Sequence, residues 1–227
     1  MSICGPGTIT LQLAEAAGET ADVVGIDLAA GMLEVARREA GQRGRRVRFE
    51  AMDMEDLTFP DASFDGAACG HGLQFCPDLP RALREVRRVL RAGGRFAASV
   101  PAGGGGSLAG AIMERLESEH LPPAPEAHDR KRTLETVCDL GRFRLAALEA
   151  GFKSARTEAV SEDRSWPDAA AMVESLSGWW AIASRLEQLD DAGRDRYRAA
   201  ALASLRAEFG DGPIPVSGGS NLLYAGA

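Results

Sequence analysis

Over its first hundred residues the chain alternates short apolar runs with amphipathic stretches, the pattern of strands and helices taken in turn. Thr8–Ala17 carries Ile9, Leu11, Leu13, Ala16 and Ala17 in a helix-compatible mix closed by Gly18. Asp22–Asp27 (DVVGID) is an apolar strand that ends in an acid. Ala29–Gln42 sets Met32, Leu33, Val35, Ala36 and Ala40 near one helical face, with charged residues opposite. Val47, Phe49 and Ala51 alternate with Arg48 and Glu50, which predicts a strand up to about Asp53. The turn-rich FPDASFD then feeds a strand over Asp65–Gly70. In the next helix, Leu79–Leu90, Leu83, Val86, Val89 and Leu90 face inward while Arg81, Arg84, Arg87 and Arg88 face out. Ala92-Gly93-Gly94 stops it, and Arg95–Val100 is the following strand. This repetition predicts an α/β fold: a parallel, doubly wound sheet with its ligand crevice at the carboxyl ends of the strands.

The second half is less regular. Gly103–Gly106 is either a hinge or a slack surface loop, Leu108–Leu116 reads as a helix, and the Pro-rich stretch to Pro125 breaks it. Phe143–Ala150 predicts a helix, Lys153–Val160 a strand, Ala169–Gln188 and Ala192–Phe209 two helices, and Asn221–Ala225 a last short strand. Together these give one domain over 1–227 with a helical cap insertion. Residues 1–103 form the regular α/β core and 104–210 a cap region with late core elements. Trp166, Trp179, Trp180, Met172 and Leu176 either wall an apolar pocket or fill the core of the insertion.

Composition narrows the classes. The 227 residues are 45% hydrophobic and 26% charged, ordinary for a globular domain. The net charge of −7 argues against a nucleic-acid partner, and the short basic run Arg43–Arg48 reads as a solvated loop. Cys4, Cys69, Cys76 and Cys138 show neither CxxC pairing nor metal-ligand spacing, so no metal is expected and they read as free thiols of a cytoplasmic protein. No apolar run approaches the roughly 20 residues that span a bilayer.

Three features then line up at strand ends. Cys4-Gly5-Pro6-Gly7-Thr8 is a glycine-rich turn, where missing side chains let backbone approach a ligand. Asp27, 20 residues after Gly7, ends the next strand, where an acid meets ribose hydroxyls in nucleotide-binding α/β folds. Asp53-Met54 ends the strand after that, placed for an adenine edge and face. The third glycine of a G-x-G-x-x-G fingerprint would be residue 10, which is Thr10, and no Gly-Lys-Ser/Thr occurs. An adenosine-containing ligand is therefore better supported than a pyrophosphate cradle.

With these residues in place, CGPGT, VVGIDLAAGMLEVAR, AMDMEDLTFPDASFDGAACGHGLQFCPD and ALREVRRVLRAGGRF together resemble the class I S-adenosylmethionine-dependent methyltransferases, in particular the small-molecule branch of ubiquinone and menaquinone biosynthesis. The resemblance implies a Rossmann-like sheet of seven strands with the last antiparallel, and S-adenosyl-L-methionine as cofactor. It implies that Cys4, Gly5 and Gly7 lie against the methionine part, that Asp27 binds the ribose hydroxyls, and that Leu28 and Met32 flank the adenine. Asp53 would accept from the adenine amino group, with the Met54 backbone supporting the ring. Gly70 and His71 would border the sulfonium and a small-molecule methyl acceptor. Core filling is the competing reading of Met32 and Met54, and backbone capping that of Asp27 and Asp53. Laid on this chain, the family's loop acid falls on Met1 and its first glycine on Ile3, so the first strand is truncated. The expected explanation is an upstream segment outside this sequence; the other is a short protein with a stub for that strand.

Transfer of a sulfonium methyl is an in-line displacement whose electrophile is already activated, so positioning and exclusion of water suffice and no triad is required. His71 is the candidate general base where the acceptor must lose a proton; its other reading is a neutral wall of the crevice. Gln74 and Phe75 stand between ligand contact and helix-start packing. A second functional class, a catalytically impaired scaffold or cofactor-independent pathway enzyme, follows from the truncated strand.

Overall fold

In the computed structural model, which describes residues 1–3, 5–18, 20–102, 107–123 and 128–227, the strand and helix signals of the first half all become elements. In chain order these are β1 (Ser2–Ile3), α1 (Thr8–Ala17), β2 (Val24–Asp27), α2 (Ala30–Gln42), β3 (Arg48–Ala51), β4 (Phe64–Gly70), α3 (Leu79–Val89) and β5 (Leu90–Pro101). They are followed by α4 (Leu108–His120), α5 (His128–Val137), α6 (Leu140–Glu149), β6 (Ser154–Trp166), α7 (Ala169–Ser177), α8 (Trp180–Leu186), α9 (Asp191–Phe209) and β7 (Ile214–Gly226). Among the described residues the strands form one seven-stranded sheet in the order β3-β2-β1-β4-β5-β7-β6. Pairing is parallel from β3 through β5, and β7 runs antiparallel to β5. The chain winds outward from β1 to β3 and resumes at β4 on the other side of β1. That reversal creates a crevice at the carboxyl ends of β1 and β4.

β1 is short, as expected. Ser2 and Ile3 pair with Gly25 and Ile26 of β2 and with Ala68 and Cys69 of β4, and Ala68 N–H donates to the Met1 carbonyl at 3.0 Å. α3 explains why one sheet face is well covered. Leu79, Leu83, Val86 and Val89 are buried along one stripe and meet Phe96 and Val100 of β5 in the main core. Each such side chain contributes roughly 1.5–3 kcal/mol.

By its internal contacts the chain divides into two units. The first comprises Met1–Gly103, His128–Val160 and Ser220–Ala227; the second comprises Gly104–Ala127 and Ser161–Gly219. The core of the second is helical: Met113 and Leu116 of α4, Met172 and Val173 of α7, and Tyr197, Ala201 and Leu205 of α9.

The structure departs from the sequence reading in several places. Ala169–Gln188 is two helices, α7 and α8, separated at Gly178-Trp179. α5 has no counterpart in the sequence reading, and β7 extends back to Ile214. Arg88 does not simply face solvent. Its guanidinium donates to Glu85, Asp61 and the carbonyls of Leu57 and Phe59, and so pins the loop before β4 onto α3. Leu57 N–H in turn donates to Glu85, whose carboxyl the Arg88 hydrogen bond holds below its ordinary range. The Gly103–Gly106 run lies outside the described residues. No helix among the described residues is long and apolar enough to cross a membrane.

Candidate functional site

The turn between β1 and α1 is left-handed at both glycines, with φ +49° at Gly5 and +95° at Gly7. Gly7 ends the turn and its carbonyl accepts from Leu11 N–H to begin α1. A Cβ at Gly7 would lie 2.9 Å from the Ala36 Cβ, so this position needs glycine both for its backbone and for the approach of α2. Gly7→Ala is expected to cost about 1–3 kcal/mol through backbone strain alone, read as a lower urea midpoint. At Gly5 the situation is opposite: a Cβ there would meet nothing within 4 Å, so the loop borders open space. Cys4 lies outside the described residues.

Asp27, at the end of β2, is bonded directly to this turn. Its Oδ2 accepts from Gly5 N–H at 2.9 Å and its Oδ1 from Ala29 N–H at 2.9 Å. The capping reading is thus satisfied, yet a carboxylate offers about four acceptor sites, so two backbone bonds leave capacity for ligand hydroxyls. At the end of β3, Asp53 Oδ1 accepts from Glu55 N–H at 2.8 Å, and Met52 N–H donates to the Asp27 carbonyl at 3.2 Å. The ends of β2 and β3 are therefore tied together.

Two large apolar side chains stand out of the core beside them. Leu28 is 71% exposed and Met32 46% exposed, which removes core filling as an account of Met32. Met54 is the contrary case: its side chain is buried in the main core, leaving only its backbone to line a site.

Across β1, the end of β4 is built differently. A Cβ at Gly70 would sit 2.6 Å from Ile9 Cγ1, so α1 itself demands glycine here. His71 follows with φ +49°, one of two described non-glycine residues in the left-handed region. Such a backbone costs of order 1–3 kcal/mol and persists where its surroundings hold it. Here His71 N–H donates to the Ser99 carbonyl at 2.9 Å, Gln74 Nε2 donates to the His71 carbonyl at 2.7 Å, and His71 Nε2 lies 3.1 Å from Ser220 Oγ on β7. Gln74 is buried and its Oε1 has no hydrogen-bond partner among the described residues, so its amide serves the His71 peptide. Phe75, in the 3-10 turn Leu73–Phe75, is 52% exposed. The sequence singled out His71 but not Ser220.

A cleft of about 1020 Å³ lies at the opposite, amino ends of the strands, among Val23, Phe64, Ala67, Arg95 and Ala225. It contains none of the predicted site residues. Topology and donor chemistry, rather than cavity size, mark the carboxyl edge as the ligand crevice.

Trp166 and Leu176 pack against the helical core that contains Met172, which favours core filling for these three. Trp179 is exposed, and the Trp180 side chain lies outside the described residues.

A doubly wound sheet with an antiparallel β7, carrying a glycine turn and strand-terminal acids at its carboxyl edge, defines a nucleoside-cofactor-binding α/β protein. The methyltransferase domain family matches residues 3–98. Aklanonic acid methyltransferase DauC of a Streptomyces species is 33% identical over 169 residues, covering 65% of this chain and 76% of that protein. The chain belongs to the class I S-adenosylmethionine-dependent methyltransferases. The 2-phytyl-1,4-naphtoquinone methyltransferase of Trichormus variabilis is 39% identical over 90 residues, and the chain spans 39% of its length. Among solved structures, the Haemonchus contortus phosphoethanolamine N-methyltransferase 2 in complex with phosphomonomethylethanolamine and S-adenosylhomocysteine superposes with a TM-score of 0.57 at 18% identity, covering 99% of this chain and 47% of that one. That likeness is one of fold.

The residues present fit the family's cofactor, S-adenosylmethionine. Open space beside Gly5, unused acceptor capacity on Asp27 and the exposed Leu28 and Met32 supply backbone access, hydroxyl acceptors and an apolar platform in one neighbourhood.

Proposed function

We propose that the chain transfers a methyl group from S-adenosyl-L-methionine to a small-molecule acceptor of the quinone or polyketide type. The observation that carries this reading is Asp27, which fastens the glycine turn to the end of β2 next to two exposed apolar side chains. The relatives named for naphthoquinone and aklanonic acid substrates support the acceptor class. Both of these relatives are named methyltransferases, which supports transfer over the scaffold or cofactor-independent alternative.

The bound cofactor supplies a sulfonium methyl already activated toward a nucleophile. What remains for the protein is placement. Gly5 and Gly7 admit the methionine part, Asp27 takes the ribose hydroxyls, Leu28 and Met32 flank the adenine, and the Asp53 carboxylate and Met54 backbone take its edge. Gly70 and His71 border the acceptor, with exposed Phe75 as an apolar neighbour for a planar ring. His71 receives the proton that a phenolic or enolic acceptor gives up.

Incubation with S-adenosylmethionine and a reduced naphthoquinone or an aromatic polyketide is expected to give a product heavier by one methyl group, detected by mass spectrometry. His71→Ala should lower the rate about 100-fold while leaving S-adenosylhomocysteine binding intact. Absence of methylated product from both acceptor classes would count against the reading.

A further inference from the structure

We propose that Gln74 is a positioning residue for His71: its side-chain amide, donating to the His71 carbonyl, fixes the left-handed backbone that decides where the imidazole stands at the end of β4. This rests on the reading given above that His71 borders the methyl acceptor.

The turn after β4 is held from three directions. His71 N–H donates to the Ser99 carbonyl of β5 at 2.9 Å. The next residue packs against the ends of β1 and β4. A Cβ at Gly72 would lie 2.7 Å from Cys69 Sγ and 3.2 Å from Ile3 Cγ2, so only glycine brings the chain this close. The third hold is Gln74. In the 3-10 turn Leu73–Phe75, the carbonyls of Gly72 and Leu73 accept from Phe75 and Cys76 N–H at 3.0 and 3.1 Å. The His71 carbonyl lies one residue ahead of these bonds, and Gln74 Nε2 reaches it at 2.7 Å.

The chemistry of the side chain argues that this bond is its purpose. Gln74 is 6% exposed, and its Oε1 has no hydrogen-bond partner among the described residues. Burying an amide with an orphaned acceptor works against stability, and a methionine would fill the same length without that penalty. The bond gained fastens φ +49° at His71, a conformation that persists only where its neighbours enforce it. A backbone held this firmly keeps a side chain within the narrow geometry that a transfer reaction requires. Gln74 need touch neither cofactor nor acceptor for this.

Two variants of the full chain test the proposal. Gln74→Met keeps the length and loses the donor; Gln74→Glu keeps the shape and donates only when its carboxyl is protonated. The backbone carbon and nitrogen NMR shifts of His71 and Gly72 read the turn without turnover. In Gln74→Met they are expected to leave their wild-type positions while the urea midpoint changes little. In Gln74→Glu, compared with the wild type at each pH, they should return toward those positions as pH falls. In turnover, Gln74→Met is expected to lower kcat about 10-fold with KM and S-adenosylhomocysteine affinity unchanged, the loss of one modest hydrogen bond. The ratio of Gln74→Glu kcat to wild-type kcat should climb as pH falls. Wild-type shifts in Gln74→Met, or displaced shifts with full kcat, overturn the proposal. If Gln74→Met does not fold, Gln74→Glu shifts that ignore pH overturn it instead. The two readings fail separately. Displaced shifts where the wild-type chain transfers no methyl group keep the hold on the turn and remove the methyl-transfer reading. Wild-type shifts with active turnover do the reverse.

Discussion

Arg185→Ala is expected to destabilise the helical unit by about 2–4 kcal/mol, the cost of removing a buried guanidinium from its hydrogen bonds and leaving a half-buried carboxylate unpaired. Arg185 of α8 is 7% exposed. Its guanidinium donates to Glu117 Oε2 at 2.9 Å, to the Glu117 carbonyl at 2.9 Å and to the Pro122 carbonyl at 2.6 Å. It therefore closes the last turn of α4 and clips the segment after it. Below the pair lies Tyr197, whose hydroxyl is buried without a partner among the described residues and whose phenol burial pushes up to about 12. All three tryptophans lie in this unit, so fluorescence-detected urea unfolding reports on it directly. Replacing both partners with apolar residues, Glu117→Leu with Arg185→Met, should cost less than Arg185→Ala alone. Burial outweighs the guanidinium and pushes the Glu117 carboxyl above its ordinary 4.5. The folded state then holds that proton more tightly than the unfolded chain. This contribution is complete in acid and falls as pH rises from about 4.5 through the raised value, and Glu117→Gln should abolish that slope.

Asp27→Ala is expected to weaken S-adenosylmethionine binding by about 100-fold or more. Two effects add: loss of hydrogen bonds to a charged acceptor, about 1.5–3 kcal/mol each, and release of the turn that Gly5 N–H fastens to β2. Asp27→Asn should not rescue it, because one carboxylate oxygen becomes an amide donor facing either Gly5 N–H or Ala29 N–H. Equilibrium dialysis with labelled cofactor measures both variants. Because the bonds lie at the edge of the sheet, the urea midpoint is expected to change far less than the affinity.

The cofactor half of the fold was legible because its signals are local. Apolar runs ending in Asp27 and Asp53, and glycines just before α1, announce strand ends and a turn without knowledge of distant partners. α5 was invisible for the converse reason. HDRKRTLETV offers too few apolar residues for a periodic stripe, and the helix is held instead by Thr133 donating to the Cys76 carbonyl and by Asn221. α7 and α8 fused in the sequence reading because apolar residues continue across Gly178-Trp179. β7 was shortened because Pro215, Gly218 and Gly219 mask a strand start. At the site, Gly5, Asp27 and His71 could be picked out by position, and Met32 proved to be exposed rather than core. Ser220 could not be found the same way, and Gln74 was marked only for ligand contact or helix-start packing. Ser220 meets His71 from 149 residues away, and Gln74 matters through a backbone carbonyl. The Arg185–Glu117 pair, 68 residues apart, is equally silent in sequence. Contacts that depend on sheet order or helix docking leave no mark within a sequence window.

An adenosyl cofactor is expected to bind at the carboxyl edge of the sheet and not in the cleft at its amino edge. Titration of the nitrogen-15-labelled chain with S-adenosylhomocysteine, followed through backbone amide shifts, tests this most directly. Shifts are expected to concentrate at Gly5, Gly7, Asp27, Leu28 and Asp53, with His71 responding at the neighbouring strand end. Shifts centred on Val23, Phe64 and Ala225, or none at saturating ligand, would contradict it.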